Sequence, residues 1–328
     1  MTRRPQNTVK VVKKLGSIFS LGSLTLGCFF FGNAGAYADT IYVANETNNT
    51  IVKIDASGNA SVFASSGLNR PEGLAFDSSG NLYVANSGNQ TILKFDPSGN
   101  GTVFTSGQID FPIGRISAGG LAFDSSGNLY AVDSELSRIV KFNPEGQGTV
   151  FAKNASLGFG AGGMAIDGSG NVYVANNSNN SVVKFDTNGV ASVFASPVFT
   201  DTNSPPAQND PTGLTFDSSG NLYVGNDGTG VIMKFDASGK GSLFNSIPTL
   251  GDINGLAIDS SGNLYATDWS RNRVVEWDPS GHGTIIADAS DGLGGPRFIA
   301  VLVPEPAAWL LATVGALLLW PVLKRKRV

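Results

Sequence analysis

The chain has one cysteine and one histidine in 328 residues. Cys28 lies in an N-terminal segment that its composition marks for removal, so the mature chain is expected to carry no disulfide and no thiolate metal ligand. A lone histidine, His282, cannot supply the histidine pair on which much acid–base and metal chemistry rests. No G-x-S-x-G or H-E-x-x-H stretch occurs, so a triad base and a zincin helix are both missing. Between the two ends no apolar period of 3.6 residues persists, which argues against a helical body.

Charge is scarce and unevenly placed. Residues 1–38 hold five Lys/Arg and no acid, and residues 304–328 hold four Lys/Arg and Glu305 alone. The body, 39–303, is left with 13 basic and 25 acidic residues, a net of −12. Such a body repels phosphate backbones, which argues against nucleic acid as a partner.

The two ends read as addresses. Met1 to Lys14 is basic, Leu15 to Phe31 is apolar and small, and Ala36-Tyr37-Ala38 presents small residues where a signal peptidase reads. Cleavage after Ala38 would start the mature chain at Asp39. At the other end Ala307 to Leu323 is an apolar run that, as a helix, would be about 25 Å long, at the short limit for a bilayer span. It is preceded by Pro304-Glu305-Pro306 and followed by Lys324-Arg325-Lys326-Arg327, which would stay on the cytoplasmic side. This triplet, apolar run and basic cluster resemble the PEP-CTERM sorting signal. The resemblance implies cutting near the triplet by the membrane protease exosortase and delivery to the cell surface or extracellular matrix. A permanent C-terminal anchor is the alternative.

What the body has in plenty is repetition. FDSSGNLY runs from Phe76 to Tyr83 and returns at Phe123 to Tyr130 and Phe216 to Tyr223. Near-copies stand at Ile166 to Tyr173 and Ile258 to Tyr265. With Tyr42 the tyrosines are spaced by 41, 47, 43, 50 and 42 residues, a period that means a repeat architecture. One unit, Arg70 to Gly107, contains four short β-rich runs (GLAF, NLYVAN, TILKFD, GTVF) separated by turn clusters. Four antiparallel strands per unit describes a propeller blade. In the turns, Asp bonds the backbone ahead of it and Gly supplies a positive φ. One carboxylate per DSSGN turn falls short of a calcium loop.

Five units are complete. The body starts with a second strand, Thr40 to Asn45, and ends with what reads as a first strand, Gly295 to Val301. Joining them predicts a six-bladed all-β ring closed by pairing of the N- and C-terminal strands, with a signal peptide before it and a transmembrane helix after it. The unit PEGLAFDSSGNLYVANSGNQTILKFD resembles the NHL repeat, and the resemblance covers about residues 40–301. It implies a six-bladed ring and, often, a binding or scaffolding role.

Strand direction alternates within a blade, so the DSSGN and DPSGN turns share one face. The loops between second and third strands and the links between blades share the other, where the sequence varies: SGNQ, SELS, NSNN, DGTG, WSRN. A site is expected there, around the mouth of the central channel. Residues opening the innermost strands should ring it: Glu72, Gly119, Gly162, Thr212, Asn254 and Arg297. Glu72 and Arg297 either hold a ligand or pair with each other. Asn45, Asn86, Asp133, Asn176, Asn226 and Asp268 recur at strand ends and are expected to bond loop backbone. Trp269, Arg271 and Arg273 form the most distinctive loop. An exposed Trp beside Arg suits a carbohydrate or aromatic partner, or Trp269 caps a blade interface.

Six-bladed relatives include gluconolactonase-like hydrolases and streptogramin-lyase-like enzymes. The segment from Asn254 to Asp268 resembles part of the lactonase pattern, in which a Glu, two Asn and an Asp hold a divalent metal. The matching positions are Glu72, Asn254 and Asp268, and a second Asn is lacking because Gly119, Gly162 and Thr212 occupy the candidate places. The lyase pattern rests on histidines, and His282 lies on the tight-turn face. The sequence therefore reads as an exported, non-catalytic surface or matrix module without a cofactor, binding polysaccharide or a surface protein through Glu72, Thr212, Asn254, Asp268, Trp269, Arg271 and Arg297. The alternative is a metal-dependent, lactonase-like hydrolase with one divalent ion, calcium or similar, at the channel mouth.

Overall fold

The repeated phrase folds as one hydrogen-bonded turn, unit after unit. Asp77 Oδ1 accepts the backbone N–H groups of Ser79 and Asn81, both at 2.9 Å, and Asn81 Nδ2 donates back to Asp77 Oδ2 at 2.8 Å. The pattern recurs at Asp124/Asn128, Asp167/Asn171, Asp217/Asn221 and Asp259/Asn263. Gly80 sits at φ 78°, a left-handed conformation that favours glycine. The carboxylate satisfies the N–H groups that the reversal takes out of the ladder, and the next strand follows at once.

The computed structural model describes residues 39–106, 116–134, 136–154, 161–198, 210–246 and 250–303. The chain divides into two compact units, Met1–Ala36 and Tyr37–Val328, and the described residues belong to the second. The leader read in 1–38 and the sorting signal read in 304–328 lie outside the described residues. Among the described residues no helix is long and apolar enough to cross a membrane.

Strands β1 (Thr40–Asn45), β2 (Thr50–Ile54) and β3 (Ala60–Ala64) open the first blade. The second holds β4 (Pro71–Phe76), β5 (Leu82–Asn86), β6 (Thr91–Phe95) and β7 (Gly101–Ser106). The third holds β8 (Ile116–Phe123), β9 (Leu129–Asp133), β10 (Arg138–Phe142) and β11 (Gly148–Lys153). The fourth holds β12 (Ala161–Ile166), β13 (Val172–Asn176), β14 (Ser181–Phe185) and β15 (Ala191–Ala195). The fifth holds β16 (Asp210–Phe216), β17 (Leu222–Asp227), β18 (Val231–Phe235) and β19 (Gly241–Ser246). The sixth holds β20 (Ile253–Ile258), β21 (Leu264–Asp268), β22 (Arg273–Trp277) and β23 (Gly283–Ala287). The last strand, β24 (Pro296–Leu302), pairs antiparallel with β1, Val43 opposite Ile299 and Tyr42 opposite Ala300, and makes the first blade four-stranded. The all-β ring of six four-stranded blades, closed by its terminal strands, is therefore as the repeat spacing predicts.

First strands touch in a closed cycle: β24 on β4, β4 on β8, β8 on β12, β12 on β16, β16 on β20 and β20 on β24. They therefore line the axis. Their crowding needs glycine: a Cβ on Gly163 would stand 2.5 Å from Thr212 O, and one on Gly255 2.7 Å from Phe298 Cα. The core lies between blades. Tyr83 is wedged edge-on between Phe104 and Phe123, each with ring centroids 4.9 Å away, and burying a ring of this size contributes about 1.5–3 kcal/mol. Its hydroxyl end is met by Lys94, whose Nζ is 5.2 Å from the ring centroid and 3.5 Å from Asp77 Oδ2. Lysines 53, 141, 184 and 234 likewise stand over Tyr42, Tyr130, Tyr173 and Tyr223. In the sixth blade Glu276 takes the place of the lysine, and Asp259 and Glu276 lie 2.9 and 3.2 Å from the Tyr265 hydroxyl.

Candidate functional site at the channel mouth

Antiparallel pairing puts the start of each first strand beside the end of its second strand: Pro71 opposite Asn86, Pro211 opposite Asn226, Ile253 opposite Asp268, Pro296 opposite Asn45. Two tiers of side chains thereby meet at one end of the axis. The first is the expected one, with Glu72, Thr212, Asn254 and Arg297. The second consists of the residues just after the recurrent strand-end Asn/Asp: Glu46, Ser87, Ser134, Asn177, Asp227 and Trp269. The repeat alignment contained the signal for this tier, since one unlike residue follows a near-invariant one in every unit. Glu46, Ser87 and Asp227 were nonetheless missed.

The strand-end residues do what their recurrence predicts. Asn86 Nδ2 donates to Gly67 O at 3.0 Å and its Oδ1 accepts Asn69 N–H at 3.2 Å, tying down the link from the preceding blade. Asn45 does the same for Gly292 and Gly294. Asp268, 1 % exposed, receives Gly251 N–H at 3.2 Å and Arg273 Nε at 3.0 Å, with Arg271 Nη1 at 3.6 Å. Thr212 is also turned inward, its hydroxyl donating to Ile253 O of the next blade. Asp268 and Thr212 thus brace the rim.

At the centre of the site Glu46 joins two arginines. Arg70 donates through Nε at 3.0 Å and through Nη2 to Glu46 Oε1, and Arg297 Nε donates to Oε2 at 2.6 Å. Burial alone would raise the Glu46 carboxyl, but the bonds and charges of Arg297 and Arg70 outweigh it and hold the group below its ordinary value. Arg297 Nη1 reaches Asn254 Oδ1 in the sixth blade at 2.8 Å, and its guanidinium lies 5.3 Å from the Trp269 ring centroid. Arg70 holds φ 50°, a strained value for a residue with a side chain. Blades six and one and the link to blade two are therefore fastened through one buried carboxylate.

The expected Glu72–Arg297 pair does not form. Glu72 is 5 % exposed and accepts a 2.7 Å bond from Ser87 Oγ, while Arg297 is taken by the better-placed Glu46. Burial pushes the Glu72 carboxyl up, against the Ser87 bond and the Arg297 charge. Across the mouth Asp227 is pushed up to about 6, by burial first and then by repulsion from Asp252 and Asp210, partly offset by Arg297. Trp269 stays 39 % exposed while it lies across the junction of the sixth and first blades, against Arg297.

Glu72, Asn254 and Asp268 do not fit the divalent ion that the hydrolase resemblance would place on them. Asn254 Oδ1 is occupied by a guanidinium, Asp268 is spent on Arg271, Arg273 and Gly251, and no third-party carboxylate joins Glu72. Among the described residues no group of three or more His, Cys, Asp or Glu side chains could hold a metal ion. On the opposite, tight-turn side a cavity of about 570 Å³ is lined by Phe76 to Gly80, Pro97 and Val301 to Val303. It presents the repeated turn and aliphatic side chains.

A family model described as a repeat of unknown function, DUF6923, matches residues 33–215. No curated protein matches the sequence. Among solved structures, a chain of a nidogen/laminin complex is similar at TM-score 0.67 and 20 % identity, covering 82 % of this chain and 100 % of that one. A protein of unknown function from Bacteroides caccae is similar at TM-score 0.62 and 14 % identity, covering 81 % and 100 %. Virginiamycin B lyase from Staphylococcus aureus is similar at TM-score 0.57 and 16 % identity, covering 75 % and 80 %. At such identities the likeness is one of fold, and activity does not follow from it.

Proposed function

We propose that this chain, which belongs to the DUF6923 repeat family, is an exported, NHL-type, non-catalytic binding module of the cell surface or extracellular matrix. In this reading signal peptidase frees Asp39, the segment 304–328 serves as a PEP-CTERM signal for exosortase, and the ring presents its mouth to a polysaccharide or a surface protein. The observation that carries it is the contrast around the axis. Equivalent mouth positions hold Glu46, Ser87, Ser134, Asn177, Asp227 and Trp269, six positions with only serine repeated, whereas the five DSSGN-type turns between first and second strands on the opposite side are near-identical. A rigid ring with one varied face is built for recognition. Glu46, Glu72, Asn254 and Asp268 at that face are bonded to arginine, serine or backbone partners, which suits holding a ligand better than turning one over.

The test is retention of the purified chain on a panel of immobilised neutral and charged polysaccharides and surface proteins. Trp269→Ala should cut retention about tenfold or more, the scale of a central aromatic anchor. Asp96→Ala, on the tight-turn side, should leave it unchanged. No retention at all, together with lactone turnover that a chelator abolishes and Glu72→Ala removes, would replace this reading with the hydrolase. Export is checked separately by the intact mass of the protein extracted from the cell surface, which should begin at Asp39.

A further inference from the structure

The mouth is electrostatically two-sided. On the arc formed by the sixth blade, the first and the link to the second, Arg70, Arg271, Arg273 and Arg297 face two paired carboxylates, Glu46 and Asp268. Glu72, also on that arc, is buried and bonded to Ser87, and Asp288 and Asp291 in the link to the first blade bond that link's own backbone. On the arc of the fifth blade stand Asp210 and Asp227, and Asp252, which leads into the sixth blade beside Trp269, joins Asp210 in raising the Asp227 carboxyl. In a body of net charge −12 four of the five described arginines are thus gathered at one edge of one opening, Arg138 of the third blade being the exception.

That edge has donors to spare. Arg297 uses Nε for Glu46 and Nη1 for Asn254, and among the described residues its Nη2 has no acceptor. Arg70 uses Nε and Nη2 for Glu46, leaving Nη1, on a side chain 52 % exposed. Both forks are held in place by the same carboxylate, so little side-chain freedom remains to be lost when a ligand arrives. Trp269 lies against Arg297 and keeps open indole surface, a flat apolar platform next to fixed guanidinium donors.

Resting on the reading of the mouth as the ligand-binding face, we infer that its ligand is an anionic glycan, a uronate-type polysaccharide. A sugar carboxylate is bound by Arg70 and Arg297 while the ring stacks on Trp269. Guanidinium and carboxylate match in shape as well as charge. The acidic arc repels the same carboxylate, so the saccharide is oriented with its charge toward the first blade. A flat exposed indole favours a sugar ring over an extended acidic peptide, whose side chains offer no such face.

The test is direct binding of the full chain, in mild detergent at low ionic strength, to polygalacturonate, to fully methyl-esterified polygalacturonate and to polyglutamate. Polygalacturonate should bind about tenfold or more tightly than either of the others, and added salt should weaken it. Arg70→Gln, on a half-exposed side chain, should lower that affinity about tenfold without unfolding the ring. Arg70→Gly relieves the positive φ and should lower the affinity likewise. Equal binding of the methyl ester, tighter binding of polyglutamate, no binding of polygalacturonate, or wild-type affinity in both Arg70 variants would each overturn the inference. Binding of the methyl ester that Trp269→Ala abolishes would overturn it while leaving the binding-module reading intact. Loss of all retention across the wider panel would remove both.

Discussion

The two faces of the ring reverse the chain by different means. On the tight-turn side a single aspartate bonds the N–H groups two and four residues ahead and the solution is copied from blade to blade. On the mouth side each reversal also has to anchor a link of different length, and the bonds run between blades: Asn45 to Gly292, Thr267 to Arg297 O, Arg297 to Asn254. Most of the described cations follow the same division, Lys153 opposite Arg138 being a lysine on the mouth side. Lysines 53, 94, 141, 184 and 234 stand over core tyrosines, where a flexible point charge is enough. The described arginines are all at the mouth side, where planar forks join fixed carboxylates. Uniform chemistry builds the ring, and varied chemistry is confined to the end where a ligand would meet it.

The sharpest way to break this comparison is to delete one aspartate from each face. Asp133 is 1 % exposed and pairs at 2.8 Å with Arg138, itself 6 % exposed. Asp133→Ala would leave a buried guanidinium without its carboxylate and should lower stability by about 3–5 kcal/mol in a denaturant titration. Asp96→Ala removes an exposed turn cap and should lower stability far less. Similar losses from the two would show that the mouth-side bonds are no deeper than those of the turns.

A smaller effect comes from Asp227. Its folded carboxyl titrates near 6 against an unfolded value of about 3.9, so protonation favours the folded ring. That contribution is complete below about pH 4 and is lost as pH rises through 6. Asp227→Asn should therefore match wild type near pH 4 and exceed it above pH 7 by roughly 1–2 kcal/mol after screening by solvent. Denaturation midpoints across that window would check it, and a pH-independent difference would contradict the origin given to the shift. The smallest effect tests the exceptional blade. Glu276→Lys restores the lysine found over the tyrosine in five blades and should raise stability by about 0.5–1 kcal/mol.

The ring was legible in the sequence because it is written in local chemistry. Asp77, Gly80 and Asn81 act within a few residues, and recurrence at intervals in the forties gave the blade count and the closing strand. The strand-end Asn and Asp residues were legible for the same reason. The site was legible only as a list of positions. Arg297 was placed at the mouth, but its partner was misread as Glu72, because sequence spacing does not say which of two nearby acids has the better geometry. Glu46 lies 251 residues from Arg297 and meets it only when the terminal strands pair. Asp268 and Thr212 looked available because polar residues at a rim suggest a ligand, whereas burial commits them to Arg273 and to Ile253 O.

Hydrogen exchange on the chain with and without the polymer it retains best tests the division of the two faces most directly. The account predicts new protection at 46–49, 70–72, 252–254, 269–272 and 295–297, with exchange at 77–81, 96–100 and 278–282 unaltered. Protection confined to the latter turns would contradict it.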